Sequence, residues 1–391
     1  MIVGVVKESF PGEDRVALVP AVLPQLGKAG IEVLIESGAG AAAGYPDSDF
    51  SDKGATVLSG RSEVYERADA VTQVRAFGAN PEEGRADLDL MREGQAVIGV
   101  CEPLTSSDAN RAMAEKGITL FSMEMMPRIT RAQSMDVLSS MATIAGYKAV
   151  LIAADNLPKM FPMMMTAAGT IAPARVFVVG AGVAGLQAIA TARKLGAVVH
   201  AYDVRPAVKE QVESLGGKFV ELELETGSSE DEGGYAKELG EDFYRKQREM
   251  MLKVVAESDV VITTAAIPGK KAPILVTAEM VRGMRLGSMI IDLAAERGGN
   301  CELTRAGENV VEGGVTIVGP INLPASIPYH ASQMYAKNIA TFLLHLVDEG
   351  KLVIDREDEI TNETLITQGG RVVNKRVLEA MGAPSEGRES S

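Results

Sequence analysis

The sequence predicts an α/β protein made of two doubly wound Rossmann-like domains with a cleft between them. Short β-rich segments alternate with helical segments from the first residue onward, which is typical of parallel sheets covered by helices. The chain has 391 residues, enough for two domains that each have a core. A glycine-rich turn between an apolar strand and an alanine-rich helix, within residues 175–194, indicates a nucleotide-binding unit in the middle of the chain.

The first domain is predicted from residues 1–136. This segment has no glycine fingerprint, so we do not expect it to bind a nucleotide by itself. A helical pattern at 331–348 has no place in the second sheet, and residues 325–384 are therefore expected to complete the first domain. The expected strands lie near 2–6, 31–36, 69–74, 95–101 and 118–123, with helices near 19–29, 60–67, 85–92 and 105–116.

The second domain is predicted over residues 137–324 and begins with a long apolar helix at 137–154. Residues 222–240 are acidic, rich in glycine and serine, and long for an α/β connection, which indicates a lid or a disordered insertion. The tail at 385–391 is predicted to be disordered. Ligands should bind in the cleft, at the carboxyl ends of the strands. Six strands are expected, near 175–179, 197–202, 217–222, 259–263, 287–292 and 315–318.

The glycine turn matches the dinucleotide-binding fingerprint in its full strand-turn-helix context. Gly180 permits a tight turn, and Gly182 lets the backbone approach a pyrophosphate. Gly185 lets the helix lie close to the strand. The N–H groups at the helix N-terminus are then available to receive phosphates.

An acid at the end of the second strand predicts which dinucleotide binds. Asp203 is expected to accept hydrogen bonds from an adenosine ribose, and its charge would repel a 2′-phosphate, which favours NAD(H) over NADP(H). Arg205 weakens this preference because a guanidinium can bind such a phosphate, although a solvated surface role is an equal alternative. After a later strand, Thr264, Ala265 and Ala266 are expected to lie against the nicotinamide ribose.

The composition excludes several classes of function. The 39 basic and 53 acidic residues give a net charge of −14, which argues against a nucleic-acid partner or an anionic membrane surface. Two cysteines form no disulfide framework, and three histidines have no metal-ligand spacing, so a reducing compartment and no metal are expected. No signal peptide begins the chain and every long apolar stretch is interrupted, which predicts a cytoplasmic protein.

The histidine pattern bears on the reaction. A dehydrogenase that oxidises an alcohol or an amine must move a proton as well as a hydride. Residues 1–136 contain no histidine, and only His330 lies near the predicted cleft, although carboxylates or lysine can substitute. Hydride transfer from one nicotinamide to another needs only placement and exclusion of water, which fits this pattern.

A polar loop at 127–140 precedes the long helix. Ser134 or Asp136 is expected to cap that helix, but a cap leaves Arg128, Gln133 and Ser139 without a role. An amide and a hydroxyl here are suited to holding a carboxamide. Ten of the nineteen methionines lie between positions 113 and 165, which indicates either core packing or a subunit interface.

Motifs across nearly the whole chain resemble the NAD(H)-binding component, domain I, of proton-translocating nicotinamide nucleotide transhydrogenase. They are Pro127–Asp136 (PRITRAQSMD), Phe161–Gly169 (FPMMMTAAG), Gly185–Ala192 (GLQAIATA), Lys209–Phe219 (KEQVESLGGKF), Gly234–Glu238 (GYAKE), Ile291–Ala294 (IDLA) and Gly298–Cys301 (GGNC). The resemblance implies that Arg128, Gln133, Asp136 and Ser139 act at the nicotinamide end. It further implies a cofactor-binding set of Gly180, Ala181, Gly182, Val183, Ala184, Gly185, Asp203, Val204 and Arg205, with Gly234 and Tyr235 on a mobile loop.

The same resemblance implies the reaction and the partners. NADH bound to this chain would pass hydride directly to NADP+ held by a separate NADP(H)-binding component, and a membrane-spanning component would translocate protons. The chain would be a homodimer, cytoplasmic and peripheral to the inner membrane through its partner subunits.

Two alternatives remain from the residues. Alanine dehydrogenase shares the fold and the opening segment from Lys7 to Pro20, including Arg15. In that family a lysine and a histidine also surround the substrate; here Arg75 and the segment at 100–104 fall at those positions, and the family's acid falls on Glu296. The second alternative is a regulatory subunit that senses NAD without catalysis.

Overall fold

A computed structural model describes residues 1–221, 241–266 and 269–382 of the chain, with backbone alone at 241–244. The described chain forms two compact units, one of Met1–Met141 with the segment from Pro324 onward, the other of Ala142–Leu323. The α/β class with two doubly wound, mainly parallel sheets is confirmed. The predicted lid at 222–240 and the predicted tail at 385–391 lie outside the described residues.

The strands and helices of the described residues are numbered in chain order. The strands are β1 (Ile2–Val5), β2 (Glu32–Glu36), β3 (Thr56–Leu58), β4 (Ala70–Arg75), β5 (Ala96–Val100), β6 (Thr119–Ser122), β7 (Met164–Thr166), β8 (Gly169–Ile171), β9 (Arg175–Val179), β10 (Val198–Tyr202), β11 (Lys218–Phe219), β12 (Val260–Thr263), β13 (Met289–Asp292), β14 (Asn309–Glu312), β15 (Val315–Val318), β16 (Val347–Asp348), β17 (Lys351–Leu352), β18 (Leu365–Gln368) and β19 (Arg371–Val372). The α-helices are α1 (Leu23–Lys28), α2 (Asp47–Ser51), α3 (Arg61–Arg67), α4 (Gly84–Leu90), α5 (Ser107–Glu115), α6 (Val137–Asn156), α7 (Val183–Lys194), α8 (Lys209–Ser214), α9 (Glu241–Ala256), α10 (Ala278–Arg282), α11 (Pro328–Leu346), α12 (Glu359–Thr364) and α13 (Lys375–Ala380).

The sheet of the first unit has the strand order β19-β18-β6-β5-β4-β1-β2-β3. The strands from β6 to β3 run parallel, whereas β18 pairs antiparallel with β6 and β19 antiparallel with β18. All five strands expected in residues 1–136 are present, and the short β3, β18 and β19 at the two edges were not predicted. The central strands are buried on both faces, since helices cover a parallel sheet on both sides.

Helix α11 packs in the core of the first unit. Tyr335, Ile339 and Phe342 are fully buried in the same apolar cluster as Val3 and Phe121. The Tyr335 hydroxyl donates a hydrogen bond to the carbonyl of Gln73 at 2.8 Å, so its polar end is satisfied inside the core. This single helix therefore belongs to the fold of the first unit.

The sheet of the second unit has the strand order β11-β10-β9-β12-β13-β15-β14. The prediction of six strands was incomplete, because β14 adds a seventh strand antiparallel to β15 at the edge. The chain leaves β9 toward β10 on one side and returns through β12 on the other. The strand order thus reverses between β9 and β12, and a doubly wound sheet binds its ligands outside the carboxyl ends of such strands.

Helix α6 is long and apolar enough, by length and composition alone, to cross a membrane. The core helix of a globular protein meets the same criterion, and Ala149, Val150 and Ala153 of α6 are buried in the core of the second unit. At Gly146 a Cβ atom would lie 2.1 Å from the carbonyl oxygen of Ala184, so α6 and α7 pack closely at this point. These contacts indicate a packed helix of the α/β core.

Candidate functional site

The glycine turn lies at the carboxyl end of β9, where the strand order reverses. Gly180 has a φ of +98°, a conformation that side chains other than glycine rarely adopt. Its N–H donates to the carbonyl of Tyr202 at 2.8 Å, and the hydroxyl of Thr264 donates to the Gly180 carbonyl at 3.1 Å. The turn is therefore held between the ends of β10 and β12.

The other two glycines of the fingerprint differ in what surrounds them. At Gly185 a Cβ atom would lie 1.8 Å from the carbonyl oxygen of Gly180, so the first turn of α7 lies directly on the turn. At Gly182 no described residue other than its chain neighbours lies within 4 Å of the place that a Cβ atom would take. Gly185 is thus required by the fold, whereas the open space at Gly182 is available to a ligand.

Helix α7 begins beside this open space, with Gly182 as its N-cap. No side chain of the described residues caps the helix, although the N–H groups of its first turn have no partners within the helix. Val183 at this end is 42% exposed. An uncapped helix N-terminus with open space in front of it binds phosphate well, so the geometry fits the pyrophosphate of a dinucleotide.

Asp203 and Arg205 form a closed pair at the end of β10. Nε and Nη2 of Arg205 both donate to the carboxylate of Asp203 at 2.9 Å, and the Arg205 N–H donates to it at the same distance. The N–H of Ala181 also donates to this carboxylate, to the same Oδ2 that accepts from Nη2, at 2.7 Å. The Asp203 carboxylate therefore accepts four hydrogen bonds within the protein, and Arg205 is paired with it. Its predicted contact with a ribose stays a prediction.

A buried carboxylate that the sequence analysis left without a role positions the segment Thr264–Ala266. Asp292, at the end of β13, is fully buried. The N–H of Asn300 donates to Asp292 at 2.7 Å, while the Asn300 side chain accepts from the N–H of Ala265 and donates to its carbonyl. Asp292 also accepts hydrogen bonds from the Thr263 hydroxyl, the Ala294 N–H, the Cys301 N–H and the Thr304 hydroxyl. An acid directly after the buried run at 289–291 is the sequence feature that points to it.

The polar loop of the first unit contains a 3₁₀ turn at Thr130–Met135. Ala132 and Met135, three positions apart, lie on one side of this turn and are buried in the core cluster that contains α11. Gln133 is exposed. Residues three apart share a face in a 3₁₀ turn, so Gln133 and Asp136 share the face next to the buried one.

Asp136 caps α6, so of the two cap residues expected from the sequence, Ser134 and Asp136, the second is the cap. Its carboxylate accepts hydrogen bonds from the Ser139 N–H at 2.9 Å and from the Ser139 hydroxyl at 2.5 Å. The cap accounts for Ser139 as well as Asp136, so these two residues have a structural role whatever else they do. Arg128 is exposed at the start of the loop.

A buried charged cluster lies past the ends of β1 and β4 in the first unit. Nε and Nη2 of Arg15 donate to the two carboxylate oxygens of Glu13 at 2.6 Å, and Nη1 contacts the sulfur of Met141 at 3.0 Å. Burial raises the pKa of Glu8 to about 8, and this side chain accepts hydrogen bonds from the N–H groups of Val74 and Arg75. Arg15 is 6% exposed, so its guanidinium is enclosed and paired.

The remaining predicted site residues are distributed as follows. Gly234 and Tyr235 lie outside the described residues. Val204 packs against the core of the second unit and Ala266 is exposed. Both cysteines, Cys101 and Cys301, are buried and unpaired with each other. In the described part of the chain, no three His, Cys, Asp or Glu side chains are grouped so as to hold a metal ion.

Comparison with known proteins covers both units. The sequence model of the alanine dehydrogenase/PNT N-terminal domain family matches residues 4–145. The sequence model of the C-terminal domain family matches residues 149–375. An NAD(P) transhydrogenase subunit alpha polypeptide of Rhodospirillum rubrum is 49% identical over 96% of this chain and 98% of its own length.

Two solved structures resemble the chain over nearly its full length. A transhydrogenase from Sinorhizobium meliloti has a TM-score of 0.85 and 47% identity, covering 95% of this chain and all of that one. An L-alanine dehydrogenase has a TM-score of 0.82 but 26% identity, covering 98% of this chain and 99% of that one. The transhydrogenase sequences are thus the more similar of the two kinds.

Proposed function

The chain belongs to the alanine dehydrogenase/PNT family, and on that premise we propose that it is the NAD(H)-binding component of a proton-translocating transhydrogenase. In this proposal the chain binds NADH, and a separate component brings NADP+ against it for direct transfer of hydride. The similarity to transhydrogenase subunit alpha over nearly the whole chain supports this assignment. Proton translocation and the binding of NADP(H) belong to the partner components.

The main structural support for NAD(H) binding is the open space at Gly182, in front of the uncapped N-terminus of α7. The N–H groups of Val183 and Ala184 receive the pyrophosphate, because this helix end offers donors without charge repulsion. Asp203 lies at the adenosine end, and the backbone of Thr264–Ala266 flanks the nicotinamide ribose. The closure of Gly234 and Tyr235 over the cofactor stays a prediction, because both residues lie outside the described residues.

Bound NADH supplies the hydride, and the polar loop at 127–140 is proposed to act on its nicotinamide end. The exposed amide of Gln133 holds the carboxamide, and Asp136 with Ser139 fixes the loop from which Gln133 projects. Arg128 lies at the entrance of the same loop. No protein acid or base is needed, since a hydride that passes between two nicotinamides leaves no proton behind.

The pair formed by Arg15 and Glu13 favours this reaction over alanine oxidation. A substrate carboxylate needs a guanidinium that presents two donors to it. Arg15 already directs Nε and Nη2 to Glu13 inside the core, and opening that pair would take from the buried Glu13 the nearer of its two arginine partners. The lysine expected of an alanine dehydrogenase is replaced by Arg75, whose Nε lies 3.4 Å from Glu13. Glu296, at the family's acid position, accepts a hydrogen bond from the N–H of Asn322.

A comparison of two assays tests the proposal. With its partner components added, the purified chain should reduce an NADP+ analogue at the expense of NADH, and it should oxidise L-alanine with NAD+ at no measurable rate. Alanine turnover at an ordinary enzymatic rate would establish the alternative instead. NADH binding without transfer in the reconstituted complex would point to an NAD-sensing regulatory subunit.

We also propose that the chain is a homodimer, peripheral to the inner membrane through its partner subunits. The β7–β8 hairpin exposes apolar side chains, with Met163 60% and Met165 81% exposed. Residues 160–174 contain no charged residue, although the chain as a whole has a net charge of −14. Two equally acidic copies repel one another least across an uncharged apolar face, so a second copy is the occupant that we assign to it.

Substitution of Met165 by glutamate is expected to convert the dimer to a monomer. In a two-fold symmetric interface each change occurs twice, so two new carboxylates would be placed in an apolar contact. Analytical ultracentrifugation should give a mass near 83 kDa, twice the 41.3 kDa chain, for the wild type and near 41.3 kDa for Met165→Glu. Leu286→Glu is the matched control, because Leu286 is 84% exposed but lies outside the hairpin. A dimer that persists in Met165→Glu, or a monomeric wild type, would contradict the assignment.

A further inference from the structure

A buried amide lies beneath the polar loop of the first unit. Asn338, on α11, is 6% exposed, and its Nδ2 donates a hydrogen bond to the carbonyl of Ser134 at 2.8 Å. A carbonyl can only accept, so the amide nitrogen must face Ser134 and the amide oxygen must point away. Ser134 directly follows Gln133, the residue that we propose binds the carboxamide of the nicotinamide.

The other end of this amide has no hydrogen-bond partner among the described residues. Oδ1 of Asn338 is buried. Among the buried side-chain nitrogen and oxygen atoms of the described residues, it alone has no hydrogen-bond partner. A buried acceptor without a donor destabilises a folded protein, and an apolar side chain of the same size avoids that cost. The asparagine is therefore unfavourable for stability at one end, which leaves the contact with Ser134 as its role.

The contact fixes the direction in which Gln133 projects. The 3₁₀ turn is buried along the side of Ala132 and Met135, and Asn338 holds the Ser134 carbonyl on a second side. With two sides fixed, the third side, which carries Gln133 and Asp136, has one orientation. The ion pair between Arg131 and Asp358 is a further attachment of the loop, but Arg131 is more than half exposed, and exposed pairs stabilise little.

We propose that Asn338 is a positioning residue that sets the orientation of Gln133 through the carbonyl of Ser134. The inference rests on the proposed hydride transfer for its effect on rate, but not for its effect on the loop. Asn338 is buried beneath the loop, so its replacement should change the placement of Gln133 and leave the binding of NADH intact.

Asn338→Leu is the test, with Ser332→Ala as the matched control. Ser332 lies on the same helix, is fully buried, and accepts a hydrogen bond from the N–H of Val16 at 3.0 Å, away from the loop. Four quantities are measured for the full-length chain: the melting temperature, the Kd for NADH, the rate of NADH-dependent reduction of an NADP+ analogue with the partner components, and hydrogen exchange of the amides at 131–136.

For Asn338→Leu we expect a melting temperature equal to or above that of the wild type, a Kd for NADH within about twofold, and a transfer rate lower by about tenfold, with faster exchange in the loop. For Ser332→Ala we expect a lower melting temperature with wild-type transfer and wild-type loop exchange. A stabilised variant with slower transfer cannot result from a general loss of structure.

The inference is overturned by wild-type transfer in Asn338→Leu, by unchanged loop exchange, or by losses of transfer that follow the melting temperature in both variants. If the wild-type complex transfers no hydride, the proposed function fails by itself. The exchange measurement still decides whether Asn338 holds the loop.

Discussion

Gly185→Ala should abolish measurable NADH binding and destabilise the second unit. The new methyl group would lie 1.8 Å from the carbonyl oxygen of Gly180, which is backbone and cannot turn away as a flexible side chain does. Overpacking of this kind costs about 1–3 kcal/mol or more, and here it also displaces the turn that presents the N–H groups. Isothermal titration calorimetry and differential scanning calorimetry measure the two effects, and a variant that binds NADH normally would contradict the close packing of α7.

Gly182→Ala is the matched variant, in which binding and stability should separate. In the described parts of the chain, nothing beyond its sequence neighbours lies within 4 Å of the new Cβ atom, and a φ of −76° suits alanine. Stability should therefore change by less than about 1 kcal/mol, the loss expected when alanine replaces an N-cap glycine. NADH affinity should fall about tenfold or more, because the methyl group would take the space into which the pyrophosphate approaches. Wild-type affinity in Gly182→Ala would place the phosphates elsewhere.

Gln133→Asn should slow hydride transfer by about tenfold to a hundredfold while changing the Kd for NADH little. The shorter side chain draws the amide back by one carbon–carbon bond, and misplacement of about 1 Å can cost a hundredfold in rate. Because Gln133 is exposed, the melting temperature should not change. Single-turnover transfer with the partner components measures the rate, and equilibrium titration measures the affinity.

Thr130→Ala serves as the control for Gln133→Asn, because Thr130 is exposed at the start of the same 3₁₀ turn. It should transfer hydride at the wild-type rate. A large loss of NADH affinity in Gln133→Asn would assign Gln133 to binding of the cofactor, and an equal loss of rate in both variants would attribute the effect to the loop as a whole.

The central strands of both sheets were predictable because each is a short apolar run that ends at a turn. β1, β5, β9 and β12 are of this kind, and their neighbours in the sheet follow from the right-handed α/β connections. The other edge strands were less predictable. β3 has three residues and β14 is partly exposed, so their pairing depends on a neighbouring strand and not on a pattern of their own. β11 lies within the strand expected near 217–222, but it has only two residues.

The glycine fingerprint was predictable because its three roles depend on residues close together in sequence. The contacts that position the rest of the candidate site depend on residues far apart. Asn338 reaches Ser134 across 204 positions, and Asn300 reaches Ala265 across 35. An asparagine within a helical pattern, or after two glycines, looks the same in the sequence whether its amide is solvated or anchors a distant loop.

In the proposed NAD(H) site, the closed pair of Arg205 and Asp203 would make the selectivity for the coenzyme a competition for one cation. A coenzyme that carries an extra phosphate could recruit the Arg205 guanidinium only by withdrawing it from Asp203, whose carboxylate is 7% exposed. That withdrawal would leave an uncompensated anion beside the incoming phosphate, so the phosphorylated coenzyme would meet repulsion at the moment it gained its ligand. The unphosphorylated coenzyme makes no such demand, and two coenzymes that differ by a single group can be kept apart by an arginine that is already committed.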